Sequence, residues 1–195
     1  YVRFYELLGF IPKTISNFTK NVEMIFNKKR DLLIVVGGGS LPPQLYDRPH
    51  EDELQPNRDR MEEQVIHYCV AHGIPIIATC RGMQYINVMF GGKLWYHPKL
   101  PVNRTRGVDH QVWLVKEQRN IWVNNYHSDC IYEEGLASCF EPLAIDRENH
   151  VVEAYGSDEM KILALQWHPE RRFETANAYE ETRKIILDFI QKYVK

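Results

Sequence analysis

The chain has no excess of either charge, no long apolar run and no paired-cysteine motif, and each absence narrows what it can be. Its 24 basic and 26 acidic side chains leave a formal net charge of −2, so no global field draws it toward nucleic acid or an anionic membrane surface. No apolar run approaches the roughly 20 residues of a membrane span. The opening stretch, YVRFYELLGF, lacks the basic start and small-residue cleavage site of a secretory signal. The four cysteines, Cys69, Cys80, Cys130 and Cys139, form no CxxC pair, which points away from a zinc site or a redox dithiol. Two disulfides are allowed by count, but a chain of 195 residues with 44% hydrophobic side chains can build its core without them. The expectation is a cytoplasmic protein with reduced cysteines, no metal, no organic cofactor, and no nucleic-acid or membrane partner.

What is present is an alternation of strand-like and helix-like patterns. VRFYELLGF reads as a short helix closed by Gly9, and VEMIFNKK as a second short helix. DLLIVV (31–36) is an apolar run ending in three glycines, the pattern of a buried parallel strand. SLPPQLYDRPHEDELQPN carries four prolines and no periodicity, and so reads as a long loop of the kind that is usually functional. RDRMEEQVIHYCVAHG reads as a helix, with Asp59 and Glu62 forming a capping box and Gly73 closing it. IPIIAT (74–79) is a second buried strand, GMQYINVMFGG a helix, and KILALQW a third strand. Between 93 and 152 the texture changes to short alternating segments, QVWLV, NIWVNNY and LAIDRENHVVEAY, which read as antiparallel hairpins. ANAYEETRKIILDFIQKYV is a terminal amphipathic helix. The plan is one α/β domain over 1–195, with a mainly parallel central sheet and a small antiparallel insertion.

Two stretches carry candidate chemistry. In IPIIATCRGMQYIN the strand runs into Cys80 and a helix leaves from it. A residue on such a turn projects into the crevice at the carboxyl end of parallel strands. The helix N-terminus offers partial positive charge and free N–H groups, which favour a thiolate and can hold an oxyanion. A free cysteine alone is more often a small buried filler, and Cys69, mid-helix, is read that way. Cys130 and Cys139 have no context that suggests chemistry. In LALQWHPE, His168 follows an apolar strand and Glu170 lies two residues on. Extended backbone puts i and i+2 on one side, and Pro169 biases His168 toward extended backbone. Glu170 can therefore orient the His168 imidazole as the acid does in a nucleophile–base–acid triad. The glycines of VVGGGS allow close backbone approach, but no Lys-Ser/Thr follows to make a phosphate loop.

Taken in order, GGGSLPPQLY, RDRMEEQVI, IPIIATCRGMQYINVMFGGKLW, DHQV, VNNYHSD and LQWHPE resemble the class I glutamine amidotransferase superfamily, and within it the stand-alone gamma-glutamyl hydrolase branch. The resemblance implies a three-layer, flavodoxin-like sandwich. It makes Cys80 the nucleophile, His168 the general base and acid, and Glu170 the orienting partner. It places the oxyanion hole at the backbone N–H groups of Gly38 and Arg81. Gln84 and His127 would hold the glutamyl group, with Asn125 and Arg171 in the substrate-contacting loops. Ser40, Ala78, Asn125 and Ser128 depart from the family pattern. In this superfamily a central strand usually precedes the first helix, so the sequence given is expected to lack it.

The activity this implies is hydrolysis of a gamma-glutamyl amide through a thioester, with a small-molecule substrate and no cofactor. The branch is typified by hydrolysis of gamma-glutamyl-gamma-aminobutyrate. Arg171, alone or with Arg104 or Arg106, is read either as a solvated surface charge or as a contact for an anionic leaving group, as in a gamma-glutamyl-CDP-amidate. Two alternatives stand beside it: a glutaminase subunit delivering ammonia to a synthase partner, and a non-enzymatic binding module. A homodimer is compatible with the sequence.

Overall fold

Side chains alternate between two cores along the apolar runs, and that alternation sets the architecture. The computed structural model describes residues 1–26, 30–46, 54–96 and 106–194. In chain order the elements are α1 (Val2–Leu7), β1 (Leu33–Val35), α2 (Pro56–His72), β2 (Ile76–Thr79), α3 (Arg81–Met89), β3 (Trp95–Tyr96), β4 (Asp109–Leu114), β5 (Arg119–Asn124), β6 (Asp129–Cys130), β7 (Glu141–Asp146), β8 (Val151–Ser157), β9 (Ile162–Leu165) and α4 (Ala178–Tyr193). Seven strands form one sheet in the order β1-β2-β9-β8-β7-β4-β5, and β3 pairs with β6 in a small second sheet.

Ile76 and Ala78 of β2 face a core shared with Val65, Ile66 and Cys69 of α2 and with Met83 and Ile86 of α3. Ile77, between them, faces the opposite core, with Phe4 and Tyr5 of α1 and Ile186 and Phe189 of α4. β9 repeats the pattern: Ile162 and Ala164 point to the first core, Leu163 and Leu165 to the second. Helices on both faces of a sheet whose strands alternate in this way make the expected three-layer α/β sandwich. Each fully buried aliphatic side chain contributes about 1.5–3 kcal/mol relative to exposure.

β1, β2 and β9 are mutually parallel, while β8, β7, β4 and β5 each pair antiparallel to a neighbour. The antiparallel region is therefore larger than a small insertion. It continues the central sheet, because the alternating segments between 109 and 157 bury one face against the core that α1 and α4 also cover. β1 forms one end of the sheet.

Three local expectations change. VEMIFNKK gives a single 3₁₀ turn at Val22–Met24; Asn27, Lys28 and Lys29 lie outside the described residues. Helix α2 begins two residues earlier than expected, with Pro56 at its first turn and Gln55 as N-cap, and no side chain caps it. Asp59 and Glu62 form no capping box, because the earlier start leaves Asp59 inside the helix, its N–H bonded to the Gln55 carbonyl (2.9 Å); both carboxylates pair with Arg81. Gly73 closes α2 in the left-handed region, as expected.

Candidate active site

Cys80 stands between the end of β2 and the first turn of α3, with φ 53° and ψ −111°. That conformation is ordinary only for glycine and costs a larger residue about 1–3 kcal/mol. The surroundings impose it. Cys80 N–H donates to the Leu165 carbonyl at the end of β9 (2.8 Å), and the Cys80 carbonyl accepts from Gln84 N–H (3.1 Å). The helix starts hard against β1: a Cβ on Gly82 would run into the Val35 carbonyl oxygen.

His168 lies three residues beyond β9 and is buried. Asn124, the last residue of β5, grips its backbone from both sides. Asn124 Nδ2 donates to the His168 carbonyl (2.8 Å), and His168 N–H donates to Asn124 Oδ1 (2.9 Å). The imidazole Nδ1 is 2.7 Å from Glu170 Oε1. The Tyr1 hydroxyl is 3.0 Å from the same Nδ1, and accepts from Gly37 N–H at 2.9 Å. A Cβ on Gly37 would lie 2.9 Å from His168 Cε1 and 3.6 Å from Cys80 Cβ. Bare backbone there is what lets the glycine turn, Cys80 and His168 meet.

Electrostatics at the site are governed by burial. Desolvation pushes the Cys80 thiol up to about 12; the Arg81 N–H and the Arg171 charge pull the other way without overcoming it, while Asp129 and Glu170 add to the rise. The helix start favours the thiolate, as expected, but burial acts in the opposite direction and is the larger effect. Burial alone would also raise the Glu170 carboxyl, but the hydrogen bond and charge of His168 outweigh it and hold the carboxyl below its usual range. Burial and the Glu170 charge raise the Tyr1 hydroxyl, so it stays protonated.

A cleft of about 380 Å³ opens onto Cys80 and His168 and is walled by the Gly37–Gly39 turn. Tyr1, Gln55 and Tyr126 form further walls, and Arg106 and Arg171 line it as well. Arg171 stacks over the Tyr126 ring at 4.3 Å, with its Nε 3.8 Å from Glu170 Oε1. Arg104 lies outside the described residues. Gly38 lines the cleft, and the Arg81 backbone N–H lies where it favours the Cys80 thiolate. Gln84, His127 and Asn125 are buried and do not line it. Gln84 donates to the Asp129 carbonyl (3.0 Å) and to Gln166 Oε1 (3.2 Å), and His127 Nδ1 lies 3.1 Å from the Asp129 carbonyl. Sequence reasoning missed Tyr1, Asn124 and Tyr126. Asn124 had one usable signal, a polar residue directly after the apolar strand NIWV. Among the described residues no group of His, Cys, Asp or Glu is placed to hold a metal ion, and no helix is long and apolar enough to cross a membrane.

A doubly covered sheet with a strained cysteine elbow and a His–Glu pair at the end of a neighbouring strand defines a class I glutamine amidotransferase-like protein. The Peptidase C26 pattern matches residues 8–170, and the chain belongs to that family of cysteine hydrolases. It is 30% identical to the glutamine amidotransferase-like protein YvdE of Lactococcus lactis over 74% of this chain and 68% of that one. It is also 30% identical to protein NtpR of Enterococcus hirae, over 82% and 71%. Gamma-glutamyl-gamma-aminobutyrate hydrolase PuuD of Escherichia coli is 26% identical over 76% of this chain and 67% of its own length. Among solved structures, a Thermoplasma acidophilum protein described as a GMP synthase subunit superposes with a TM-score of 0.69 at 20% identity, covering 98% of this chain and 87% of that one. That likeness speaks for the fold alone.

Proposed function

We propose that the protein hydrolyses a gamma-glutamyl amide bond through a thioester on Cys80. The observation that carries this reading is the strained cysteine elbow sharing one cleft with an imidazole whose Nδ1 is already committed to a carboxylate. With Nδ1–H donated to Glu170, Nε2 is the nitrogen left to accept a proton. The resting thiol is neutral. As its sulfur attacks the gamma carbonyl, His168 takes the thiol proton. The carbonyl oxygen becomes an oxyanion held by the N–H groups of Gly38 and Arg81. Collapse of the intermediate breaks the C–N bond, and His168 gives its proton to the departing amine. Water, deprotonated by His168, then attacks the thioester; glutamate leaves and the sulfur recovers its proton. The pairing of Glu170 with His168 stabilises the imidazolium that forms in both halves.

A relative named for gamma-glutamyl-gamma-aminobutyrate supports a gamma-glutamyl substrate, and Arg106 and Arg171 on the cleft wall favour an amine that carries an anionic group. A carboxylate, as in an aminobutyrate, and a phosphate, as in a nucleotide-linked amidate, both fit that description. The test is a panel of gamma-glutamyl amides assayed without any partner protein, with Cys80→Ala as control. Glutamate release by the wild type and none by Cys80→Ala is expected. Release only of ammonia from glutamine, and only with a synthase added, would replace this reading with a glutaminase subunit. Unchanged release by Cys80→Ala would remove the cysteine mechanism.

A further inference from the structure

We propose that Arg58 is a positioning residue for the oxyanion hole: it clamps the glycine turn so that its N–H groups face the cleft. The inference rests on the thioester reading above. The Arg-Asp-x-x-Glu stretch at 58–62 reads in the sequence only as a helix start. In the fold it does something else. Arg58 NH2 donates to the Val36 carbonyl (2.6 Å) and NH1 to the Gly37 carbonyl (3.2 Å) and to Gln55 Oε1 (3.1 Å). Its Nε donates to Glu62 Oε1 (2.6 Å), so all three guanidinium nitrogens are engaged.

A trans peptide is planar, with its C=O and N–H pointing in opposite directions, and none of the described peptide bonds is cis. Holding the Val36 oxygen on the Arg58 side therefore turns the Gly37 N–H to the other side. There it donates to Tyr1, against the His168 and Cys80 side chains. The same geometry applied one residue on turns the Gly38 N–H away from Arg58. Gly38 must be glycine for this: a Cβ would collide with Arg58 NH1. Three consecutive glycines have the widest backbone freedom of any tripeptide, so without such a clamp the donor would be oriented only part of the time.

The second donor is tied to the same anchor. Glu62 accepts from Arg58 through Oε1 and from Arg81 NH1 through Oε2 (2.5 Å), and Arg81 also pairs with Asp59. The Arg81 side chain is almost fully buried in this network, and its backbone N–H opens the helix that leaves Cys80. One carboxylate thus fixes two guanidinium groups, and each of those fixes one oxyanion donor. Preorganised donors of this kind need no reorientation when charge develops on the substrate oxygen.

The test compares Arg58→Ala and Arg58→Lys with the wild type in three measurements on the full chain. Lysine keeps the charge but cannot bridge two carbonyls and a carboxylate at once. Expected for both variants is a kcat lower by about ten- to a hundredfold, with KM changed less than about threefold. The rate at which iodoacetamide alkylates Cys80 should stay within about twofold, since the thiol itself is untouched. Amide hydrogen exchange of Gly37–Gly39 should speed up while α3 remains protected. Unchanged kcat, full rescue by Arg58→Lys, or parallel losses in kcat and alkylation would each overturn the proposal. The exchange readout separates its failure from that of the thioester reading. Freed glycine amides in a protein whose wild type cleaves no gamma-glutamyl amide would sink the thioester reading and the oxyanion role together while keeping the clamp. Unmoved glycine amides would sink the clamp whatever the activity.

Discussion

Cys80 should behave as a masked nucleophile, inert in the free protein and activated only with substrate in place. Burial moves its thiol from the ordinary 9.0 to about 12. At pH 7 a thiol with that value is ionised in about one molecule in 10⁵, against about one in 10² for an unperturbed one. Because the thiolate is the reactive species, alkylation of Cys80 by iodoacetamide should be about a thousandfold slower than that of a small reference thiol. The rate should rise about tenfold per pH unit from pH 7 through pH 10 without levelling off. Arg171→Ala removes a charge that favours the thiolate, and should slow alkylation further. A thiol-directed glutamine analogue should escape most of this suppression, because His168 can take the proton as the carbon–sulfur bond forms. The assay is quenched labelling with peptide mapping, which separates Cys80 from the exposed Cys139. A rate plateau between pH 6 and 8 would mean a resting thiolate–imidazolium pair, in which burial does not outweigh the helix N-terminus after all.

Three further outcomes follow from the geometry. Asn124→Ala deprives the buried His168 N–H of its partner and leaves the His168 C=O with the Arg171 N–H (3.2 Å), which should cost about 1–3 kcal/mol in denaturant unfolding and lower kcat; no measurable loss would contradict the grip described. Glu170→Gln should lower kcat by about 10²- to 10⁴-fold. The folded carboxyl is depressed below its usual 4.5, so the stability this pair contributes is present above pH 4.5 and is lost as pH falls through the lower folded value. The difference between wild type and Glu170→Gln should shrink over that window, and a constant difference down to pH 2 would count against the pairing. Arg171→Ala should reduce kcat/KM for a gamma-glutamyl amide with an anionic amine by about ten- to a hundredfold relative to a neutral alkylamide; an unchanged ratio would make Arg171 a surface charge that merely rests on Tyr126.

The parts of the site legible in the sequence are those written in local context. A strand, a cysteine and a helix in immediate succession at 76–89 mark Cys80, and the two-residue spacing from His168 to Glu170 marks their pairing. What was illegible depends on distant partners. Asp59 and Glu62 have the spacing of a helix cap, yet Arg81, about twenty residues further on, claims both. Pro56 starts the helix earlier, so Asp59 sits inside it rather than at its N-cap, and its carboxylate is left to pair with the buried guanidinium. Tyr1 carries no sequence signal for the site, because its role consists of a contact with Gly37 and another with His168. Cys80 divides in the same way: the pull of the helix start on the thiol is read locally, whereas desolvation is set by the whole fold.

Strand direction explains why pieces so far apart in sequence meet at one end of the sheet. β1, β2 and β9 run parallel, so the glycine turn, the Cys80 elbow and the His168 segment all leave from their carboxyl ends. From β9 outward every pairing is antiparallel, through β8, β7 and β4 to β5. Four reversals return β5 to the direction of β9, so Asn124 at its carboxyl end emerges on the same side as His168. The hydrogen bonds between them join the last strand of the sheet to a residue just beyond β9, four positions away. That contact requires the antiparallel half to curl back over the site. The antiparallel half is therefore part of what fixes the histidine: a change that flattens it should loosen His168 while leaving the Cys80 elbow, which hangs on β2 and β9, in place.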